Sequence, residues 1–261
     1  MTRPAALVTG AGGRLGRAMA VRLAEMGHDV AVHYASSAAG AAETVALVET
    51  AGGRGVAIQT DLLDMDQTDL LIGKARDALD APLSVLINSA SVFEHDTIET
   101  ATRAAWDRHM GSNLQAPFFL TQAFAEQAPR AVMDARGEPV AQSNVINMID
   151  QRVRKLTPEF MTYTIAKMGL WAFTQTAARG LTPHIRVNGI GPGPTMRGGR
   201  QTEEHFEAQR KATISGRGSN PEDIVGAMQY ILNAPALTGQ LLCIDGGQHL
   251  GWLTPDIQGV E

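Results

Sequence analysis

The sequence of 261 residues has one cysteine, Cys243, and no excess of positive charge. A single cysteine excludes a disulfide within the chain and is typical of proteins in reducing compartments. The 22 Lys and Arg residues are outnumbered by 27 Asp and Glu residues, which gives a net charge of -5. This balance offers no electrostatic basis for binding a nucleic acid or an anionic membrane surface.

Long apolar runs are also missing from the sequence. No stretch approaches the ~20 consecutive apolar residues of a membrane-spanning helix. The apolar stretch within MTRPAALVTG is too short for the core of a signal peptide, so we expect a cytoplasmic protein. The seven histidines form no pair at metal-ligand spacing, and there is no nucleophile elbow for covalent catalysis. We therefore predict neither a membrane partner nor a bound metal ion.

What the sequence does contain is an alternation of short β-rich runs and helical patterns. Such alternation predicts βαβ units and a parallel sheet. We predict an α/β fold: a single Rossmann-type, doubly wound domain over residues 1–261, with a seven-stranded, mainly parallel sheet and helices on both faces. The predicted strands are Ala5–Val8, Val30–His33, Gly55–Gln59, Ser84–Ile87, Ser143–Met148, His184–Ile190 and Gln240–Ile244. The predicted helices are Arg14–Met26, Ala38–Ala51, Met65–Leu79, two segments within Thr102–Gln127, Glu159–Gly180 and Pro221–Asn233.

The segment Gly191–Gly218 is rich in glycine and charged residues, and we expect it to be irregular. Because it follows a predicted strand, this architecture places it above the carboxyl ends of the strands, where ligands bind. We interpret it as a substrate-binding loop. The alternative is a disordered surface insertion.

The stretch TGAGGRLG, residues 9–16, follows the first predicted strand and opens the first helix. Glycines allow a backbone to approach a pyrophosphate, whose charge is favoured at a helix N-terminus. We therefore predict that this turn binds a nucleotide cofactor. The residues assigned to cofactor contact in the turn are Gly10, Arg14, Leu15 and Gly16.

The second predicted strand continues into VAVHYASS and ends without an acidic residue. Enzymes that use NAD often place a carboxylate here for the ribose hydroxyls, and a carboxylate would repel a 2′-phosphate. Ser36 and Ser37 can instead donate hydrogen bonds to that phosphate, and Arg14 adds positive charge from the neighbouring turn. These residues favour NADP over NAD. Alternatively, the two serines only solvate a loop.

Polar residues also follow the third and fourth predicted strands. Asp61 either receives the adenine amino group of the cofactor or is the N-cap of the next helix. Asn88 ends the fourth strand and is either a cofactor contact or a structural hydrogen-bonding residue. The cofactor contacts predicted at these two strand ends are Asp61, Leu62, Asn88, Ser89, Ala90 and Ser91.

Tyr163 and Lys167 are four residues apart in a segment of helical period, so they share one helix face. An ammonium group beside a phenol favours the phenolate and lowers the pKa of the phenol from about 10. A phenol tuned in this way is a suitable general acid near neutral pH. The same spacing also occurs by chance, as a half-buried aromatic residue beside a surface lysine.

Taken with TGAGGRLG, NSAS, Asn113, RVNGIGPGP and IDGG, this pair resembles the short-chain dehydrogenase/reductase family over essentially the whole chain. The resemblance implies a homotetramer of Rossmann-type domains that bind a nicotinamide cofactor. Tyr163 would be the proton donor, Lys167 would hold the nicotinamide ribose, and Asn113 would join a proton relay through water. Pro192 and Gly193 would contact the cofactor, and Gly193 would also contact the substrate.

Two departures from the usual pattern resemble the pteridine reductase branch of that family. Arg14 stands where the turn usually has its middle glycine, and Asp150 stands where a catalytic serine is usual, thirteen residues before Tyr163. Ser91 and Phe93 match positions at which the branch has a serine on the cofactor and pterin and a phenylalanine stacked on the pterin ring. The resemblance implies NADPH-dependent reduction of a dihydropterin, as in bacterial dihydromonapterin reductases and alternative dihydrofolate reductases.

The chemistry of these positions is consistent with a pterin substrate. A flat pterin stacks on an aromatic face and needs directional polar partners when it is desolvated. Arg14 can reach both the pyrophosphate and the oxo edge of the pterin. Asp150 would repel the charge that develops on a ketone oxygen, but it can bond the N–H groups of a pterin, in which the proton goes to nitrogen. The substrate contacts assigned on this basis are Arg14, Ser91, Phe93, Asp150, Tyr163 and Gly193.

Two other functions stay open. A generic short-chain reductase would act on a carbonyl substrate such as a 3-oxoacyl thioester, and Asp150 argues against it. A cofactor-binding regulator would need no catalysis, and the intact Tyr163, Lys167 and Asn113 argue against it. The sequence does not choose between dihydromonapterin, dihydrobiopterin-like compounds and dihydrofolate.

Overall fold

The computed structural model describes residues 3–197 and 201–252. Its strands are β1 (Ala5–Val8), β2 (Asp29–Tyr34), β3 (Gly55–Gln59), β4 (Leu83–Asn88), β5 (Val132–Met133), β6 (Pro139–Val140), β7 (Ser143–Met148), β8 (Ile185–Pro192) and β9 (Leu241–Ile244). Its α-helices are α1 (Arg14–Glu25), α2 (Ala38–Thr50), α3 (Met65–Leu79), α4 (Arg103–Met110), α5 (Ala116–Gln127), α6 (Met161–Leu181), α7 (Glu203–Lys211) and α8 (Pro221–Asn233).

Seven strands form one sheet in the order β3-β2-β1-β4-β7-β8-β9, and every neighbouring pair is parallel. This confirms the predicted doubly wound sheet, with strand bounds that differ from the predicted ones by no more than two residues. The chain runs outward from β1 through β2 and β3, then returns to β4 on the other side of β1. The carboxyl ends of β1 and β4 therefore meet where the strand order reverses, which is where such sheets bind ligands.

Helices cover both faces of the sheet because alternate residues of a strand point to opposite sides. On one face, Ala6 and Val8 of β1 pack in a core with residues of α1, α2 and α8. On the other face, Ala5 and Leu7 pack with residues of α3, α5 and α6. The strands β1, β4 and β7 are buried along their whole length, as expected for parallel strands covered on both faces. The ends of these strands are thus a well-anchored base for a site.

The segment Gly191–Gly218 is not irregular throughout, which corrects the prediction. Strand β8 continues to Pro192, and α7 lies within the segment. Helix α7 forms because the Thr202 hydroxyl accepts a backbone N–H of its first turn, while acidic residues begin the helix and basic residues end it. Residues 198–200 of the segment lie outside the described residues.

Three smaller differences from the sequence prediction have local causes. Helix α6 begins at Met161 rather than Glu159, because Phe160 has a left-handed backbone with φ of +54°. The predicted pair of helices within Thr102–Gln127 is joined by a π-helical turn, Gly111–Gln115. Strands β5 and β6 form a small antiparallel hairpin, and two-residue strands are too short to produce a periodic pattern.

Candidate active site

The turn after β1 is shaped for close approach of two backbones. Gly10 has a φ of +66°, and a Cβ atom there would lie 2.9 Å from the Cα of Ala90. A Cβ atom on Gly16 would overlap the carbonyl oxygen of Gly10. Both positions therefore need glycine. The turn lies directly against the residues that follow β4, so the two strand ends form one surface.

A buried histidine, which the sequence analysis did not single out, fixes this turn. His33 Nδ1 accepts a hydrogen bond from the Gly10 N–H at 3.0 Å, and His33 Nε2 donates to the Thr60 carbonyl at 3.0 Å. These two bonds assign the neutral tautomer with its proton on Nε2. Burial lowers the pKa of His33 to about 4, so the ring is neutral at physiological pH. The only signal in the sequence is a polar residue near the end of an apolar strand.

Thr9 joins the carboxyl ends of β1 and β4. Its Oγ1 accepts hydrogen bonds from the N–H groups of Ser89 and Ala90, at 2.9 and 3.0 Å, and donates to the Ile87 carbonyl at 3.4 Å. The backbone N–H groups of two predicted cofactor contacts are thus engaged within the protein. Their remaining groups are the ones that can meet a ligand.

We expect His33→Leu to destabilise the protein and to weaken cofactor binding. The change removes the acceptor of the Gly10 N–H and the donor to the Thr60 carbonyl, and a buried backbone group left unsatisfied costs about 1–3 kcal/mol. Thermal denaturation with and without nicotinamide cofactor measures both effects. His33→Gln is the matched control, since its amide can accept and donate, and it should retain more stability. Equal losses in the two variants would show that these hydrogen bonds are not the cause.

Arg14 combines a strained backbone with an unpaired side chain at the start of α1. Its φ of +53° lies in the left-handed region, which costs a non-glycine residue of order 1–3 kcal/mol. The side chain is exposed and, within residues 3–197 and 201–252, forms no hydrogen bond or ion pair. Its guanidinium is therefore available to a ligand at the turn. The adjacent Leu15 packs partly into the core.

The ends of β2 and β3 present exposed polar side chains. Ser36 and Ser37 are exposed, and the Ser37 side chain makes no capping hydrogen bond to α2. Asp61 is also exposed, and its Oδ1 accepts a backbone N–H two residues further on at 3.0 Å. The N-cap of α3 is Asp64, so the capping alternative for Asp61 is wrong. Leu62 is buried and can present only its backbone here.

Asn88 links β4 to β7 and leaves one polar atom unpaired. Its Nδ2 donates to Asn147 Oδ1 at 2.8 Å, and Asn147 Nδ2 donates to Thr174 Oγ1 at 2.9 Å. Asn88 therefore acts as a structural hydrogen-bonding residue, which is one of the two roles predicted for it. Its buried Oδ1 has no partner in the described part of the chain, which is unusual for a buried acceptor. This atom can still accept a hydrogen bond from a ligand or a water molecule.

The buried Tyr163 and the partly buried Asp150 form a hydrogen-bonded pair between β7 and α6. The Tyr163 hydroxyl, in a residue that is 5% exposed, donates to Asp150 Oδ2 at 3.0 Å. Asp150 Oδ1 accepts the backbone N–H of Arg152 at 2.8 Å and so caps the 3₁₀-helical turn Gln151–Arg154. Because each carboxylate oxygen has a donor, the carboxylate is held in one orientation beside the phenol.

Burial dominates the acid–base behaviour of this pair. Burial raises the pKa of Asp150. Burial, followed by the charge of Asp150, raises the pKa of Tyr163 well above its usual value, and a hydrogen bond with Ser91 acts in the opposite direction. The pair therefore retains protons to higher pH than isolated aspartate and tyrosine side chains.

The prediction that Lys167 lowers the pKa of Tyr163 is wrong. The two side chains share a face of α6 as predicted, with Lys167 Nζ 5.6 Å from the centroid of the Tyr163 ring. Nζ donates to the carbonyl oxygen of Met148 at 2.7 Å, so its hydrogen bond is to the backbone rather than to the phenol. Burial lowers the pKa of Lys167 itself to about 8. Helical spacing predicts a shared face, but it does not predict which partner a flexible side chain takes.

Asn113 lies in the π-helical turn between α4 and α5. Such turns are frequent at functional sites. Asn113 Nδ2 donates to the Val92 carbonyl at 2.8 Å, and its buried Oδ1 has no partner among the described residues. The relay through water stays a prediction. The unpaired Oδ1 supplies one of the acceptors that a bound water molecule would need.

Aromatic rings line one side of Tyr163. Phe93 is 50% exposed and stacks on Phe160, with ring centroids 4.4 Å apart and an interplanar angle of 5°. Its ring also meets the ring of Tyr163 at 4.7 Å in an edge contact. The exposed surface of Phe93, next to the phenol, can receive a flat ligand.

Asp96 caps the helix that carries Tyr163, a role with no signal in the sequence pattern. Asp96 Oδ1 accepts the N–H of Thr162 at 3.2 Å, and Oδ2 accepts the Thr162 hydroxyl. His109 Nδ1 is hydrogen-bonded to the same hydroxyl at 2.6 Å. A carboxylate at this position also stabilises the N-terminus of α6. The network fixes the first turn of α6, and with it the position of Tyr163.

The described parts of the predicted substrate-binding loop, Gly191–Gly218, are hydrogen-bonded to neighbouring segments at both ends. The Gly193 N–H, just after β8, donates to the Ile244 carbonyl of β9 at 3.0 Å. Arg210 of α7 donates to the carbonyls of Pro194 and Ser219, at 2.9 and 2.6 Å. Pairing with β9 therefore places Gly193 at the carboxyl end of the sheet, beside the other predicted contacts.

Within 3–197 and 201–252, no group of three or more His, Cys, Asp or Glu side chains is placed to hold a metal ion. None of the helices in those ranges is long and apolar enough to cross a membrane.

The sheet order, the glycine turn and the Tyr163–Lys167 face together define a nicotinamide-dependent type of Rossmann domain. The chain belongs to the short chain dehydrogenase family, which it matches over residues 4–208. FolM alternative dihydrofolate reductase 1 from Brucella suis, solved in complex with NADP, is similar to it with a TM-score of 0.90 and 36% identity, over 99% of this chain and 100% of that chain.

Two further relatives show the range of the similarity. Pteridine reductase 1 of Leishmania tarentolae is 30% identical over 292 residues, covering 95% of this chain and 97% of its own length. The angucycline C-6 ketoreductase LanV, solved with bound NADP, has a TM-score of 0.85 and 30% identity, over 95% of this chain and 96% of that chain. Since the relatives are named as pteridine, folate and ketone reductases, family membership alone does not select a substrate.

Proposed function

We propose that this protein catalyses the NADPH-dependent reduction of a dihydropterin to its tetrahydro form. The observation that carries the proposal is the partly buried Asp150, which accepts the hydrogen bond of the Tyr163 hydroxyl. The similarity to FolM alternative dihydrofolate reductase 1 and to pteridine reductase 1 supports it. Dihydromonapterin, dihydrobiopterin-like compounds and dihydrofolate all belong to this substrate class.

The Tyr163–Asp150 pair suits the delivery of a proton to a ring nitrogen. Reduction of a C=N bond adds hydride to carbon and a proton to nitrogen, so no oxyanion develops. A carboxylate beside the reacting centre would destabilise an oxyanion, but it can accept N–H groups of a pterin. Because burial raises the pKa of both groups, the pair keeps a transferable proton at higher pH than either group would alone.

The residues at the strand ends fit a nicotinamide cofactor that carries a 2′-phosphate. When bound, NADPH supplies the hydride. The turn from Gly10 to Gly16 gives the close backbone approach that a pyrophosphate needs, and no acidic residue stands between β2 and α2. The exposed Ser36 and Ser37 would donate to the 2′-phosphate. The other proposed cofactor contacts are Arg14, Leu15, Asp61, Leu62, Asn88, Ser89, Ala90, Ser91, Lys167, Pro192 and Gly193.

The substrate would lie between the cofactor and the exposed ring of Phe93. Stacking on Phe93 would place a pterin beside the phenol of Tyr163, which meets the same ring. The unpaired guanidinium of Arg14 is a donor for the oxo edge of the pterin, and Ser91 is a smaller polar partner. Gly193 completes the proposed substrate contacts.

We also propose a cytoplasmic homotetramer. Several apolar side chains on α5 and α6 are exposed, and a subunit interface would remove their surface from water. They are Phe118, Phe119, Ile165 and Met168. Light scattering on the purified protein is expected to give four times the chain mass, and a monomeric mass would contradict the assembly.

The test of the proposed function is NADPH oxidation by the purified protein. A 7,8-dihydropterin, 7,8-dihydrofolate and an acetoacetyl thioester are offered side by side, each with NADPH and with NADH. Turnover of a dihydropterin or dihydrofolate, faster with NADPH, supports the proposal. Turnover of the thioester alone would assign the protein to the carbonyl reductases. Cofactor binding without turnover of any substrate would favour a regulatory role.

We expect kcat/KM for the reduction to fall as the pH rises above about 8. Burial lowers the pKa of Lys167 to about 8 from its usual 10.5, so the ammonium loses its charge in this range. A neutral Lys167 would hold the ribose and its proton relay less well. Arginine at this position keeps its charge, so in Lys167→Arg the fall in kcat/KM should occur at a higher pH. The exposed Lys74→Arg on α3 is the control, and an unaltered pH profile in Lys167→Arg would contradict the assignment.

A further inference from the structure

Arg152 lies on the rim of the proposed catalytic pair. Its backbone N–H donates to Asp150 Oδ1 at 2.8 Å, and its guanidinium carbon lies 4.7 Å from the centroid of the Phe160 ring. Phe160 in turn stacks on Phe93, and Phe93 meets the ring of Tyr163. The backbone of Arg152 thus contacts the carboxylate, while its side chain contacts the first of two stacked aromatic rings that lead back to the phenol. Arg152 is therefore part of the same small group of side chains.

The guanidinium of Arg152 has spare hydrogen-bonding capacity. Its Nη1 donates to Thr157 Oγ1 at 2.9 Å, and an arginine side chain has five N–H donors. Within residues 3–197 and 201–252, it forms no salt bridge, although the chain has a net charge of -5. Seven other arginines in the same ranges pair with a carboxylate: Arg3, Arg17, Arg22, Arg76, Arg108, Arg197 and Arg217. Arg14 and Arg154 are among the arginines that, like Arg152, form no salt bridge there.

The charge of Arg152 already acts on the reacting groups. Burial raises the pKa of Asp150 and of Tyr163, and the guanidinium of Arg152 opposes the rise in both. A charge that influences both groups also acts on a ligand bound against them. An anionic part of such a ligand would find in Arg152 a cation without a carboxylate partner among the described residues.

We infer that Arg152 determines specificity by binding an acidic group on the substrate side chain, so that the enzyme prefers dihydrofolate to a dihydropterin with a neutral side chain. This inference rests on the proposed function. A pterin stacked on the outer face of Phe93 would be separated from the guanidinium by two rings, since the Phe93 and Phe160 centroids are 4.4 Å apart and the guanidinium carbon is 4.7 Å from the Phe160 centroid. The glutamate carboxylates of dihydrofolate, which extend beyond the pterin, would bridge this distance. A planar guanidinium binds a carboxylate through two parallel hydrogen bonds, and a substrate without the carboxylate leaves those donors unpaired.

The test compares kcat/KM for 7,8-dihydrofolate with kcat/KM for 7,8-dihydromonapterin, whose side chain is neutral. Arg152→Gln is expected to lower kcat/KM for dihydrofolate by about tenfold to a hundredfold, mainly through KM. The ratio of dihydrofolate to dihydromonapterin should fall by at least about tenfold. Arg152→Lys keeps the charge but loses the planar guanidinium with its paired N–H donors. Its kcat/KM for dihydrofolate should lie between the values for the wild type and Arg152→Gln. Added salt should raise KM for dihydrofolate in the wild type more than in Arg152→Gln.

Arg154→Gln is the matched control. It makes the same change of charge two residues away, at a side chain that packs over the Trp171 ring with a distance of 5.5 Å to the centroid. It should leave the substrate ratio unchanged. Melting temperatures of all variants with bound NADPH verify that each one folds.

Three results would overturn the inference. Equal losses on both substrates in Arg152→Gln would show a structural role. Unchanged kcat/KM for both substrates in Arg152→Gln would show that Arg152 does not bind the substrate, while the proposed function stands. Turnover of neither compound by the wild type would contradict the proposed function, and this inference with it.

Discussion

Tyr163→Phe is expected to lower kcat for reduction of a 7,8-dihydropterin by about 10²- to 10⁴-fold, the range for loss of a positioned general acid. The substitution removes the hydroxyl that donates to Asp150 Oδ2 at 3.0 Å and keeps the ring that meets Phe93. The aromatic side of the site therefore stays in place while the proton donor is lost. Steady-state rates of NADPH oxidation, with saturating substrate, measure the effect.

Tyr230→Phe is the matched control for this prediction. Tyr230 lies on α8 and is 59% exposed, so the same loss of a hydroxyl there should leave kcat unchanged. A Tyr163→Phe protein that kept more than about a tenth of the wild-type rate would lie outside the range expected of a general acid. In that case another group would have to supply the proton.

Asp150→Ser is expected to lower dihydropterin reduction by about 10²-fold and to spare or improve the reduction of a ketone. A serine hydroxyl can stabilise a developing oxyanion, whereas the carboxylate of Asp150 can bond the N–H groups of a pterin. Rates with a dihydropterin and with an acetoacetyl thioester, measured on both proteins, show whether specificity changes in this direction. Unchanged dihydropterin reduction in Asp150→Ser would remove the main argument against a carbonyl substrate.

The ionised carboxylate of Asp150 is expected to lower the free energy of unfolding at neutral and alkaline pH. Burial raises the pKa of Asp150, so the folded protein holds this proton at a pH where the unfolded chain has released it. The stability contributed by the protonated group is therefore complete at low pH and is lost as the pH rises through the folded-state pKa. Asp150→Asn should melt at a higher temperature than the wild type at pH 8, and the difference should be smaller near pH 4. A variant that is less stable at both pH values would contradict the burial argument.

The fold could be predicted from the sequence because its signals are local. Each strand of the large sheet has at least four residues and contains Val, Ile or Leu, and the strands are separated by segments with helical period. The glycines of the turn TGAGGRLG indicate a tight backbone turn, and the structure leaves no room for a Cβ atom at Gly10 or Gly16. The two-residue strands β5 and β6 and the left-handed Phe160 carry no comparable signal.

The supporting groups of the site could not be predicted, because they depend on contacts between distant parts of the chain. His33 reaches Gly10 from the next strand of the sheet, and Asp96 reaches Thr162 across 66 positions of sequence. A pattern of residue types does not reveal such pairs. The pKa of Tyr163 was predicted in the wrong direction for a related reason. Sequence spacing predicts that Tyr163 and Lys167 share a helix face, but it does not predict how deeply Tyr163 is buried. That burial decides the sign of the pKa shift of Tyr163.

Deuteride transfer from the cofactor distinguishes a dihydropterin reductase from a ketone reductase. The purified protein is incubated with a 7,8-dihydropterin and NADPH that is deuterated at the transferable position of the nicotinamide, and the product is examined by mass spectrometry and NMR. We predict a tetrahydropterin with one deuterium on the ring carbon of the former C=N bond and none on nitrogen-bound positions after exchange in H₂O. A product without deuterium, or NADPH that is consumed only with a ketone, would contradict the proposed reduction of a dihydropterin.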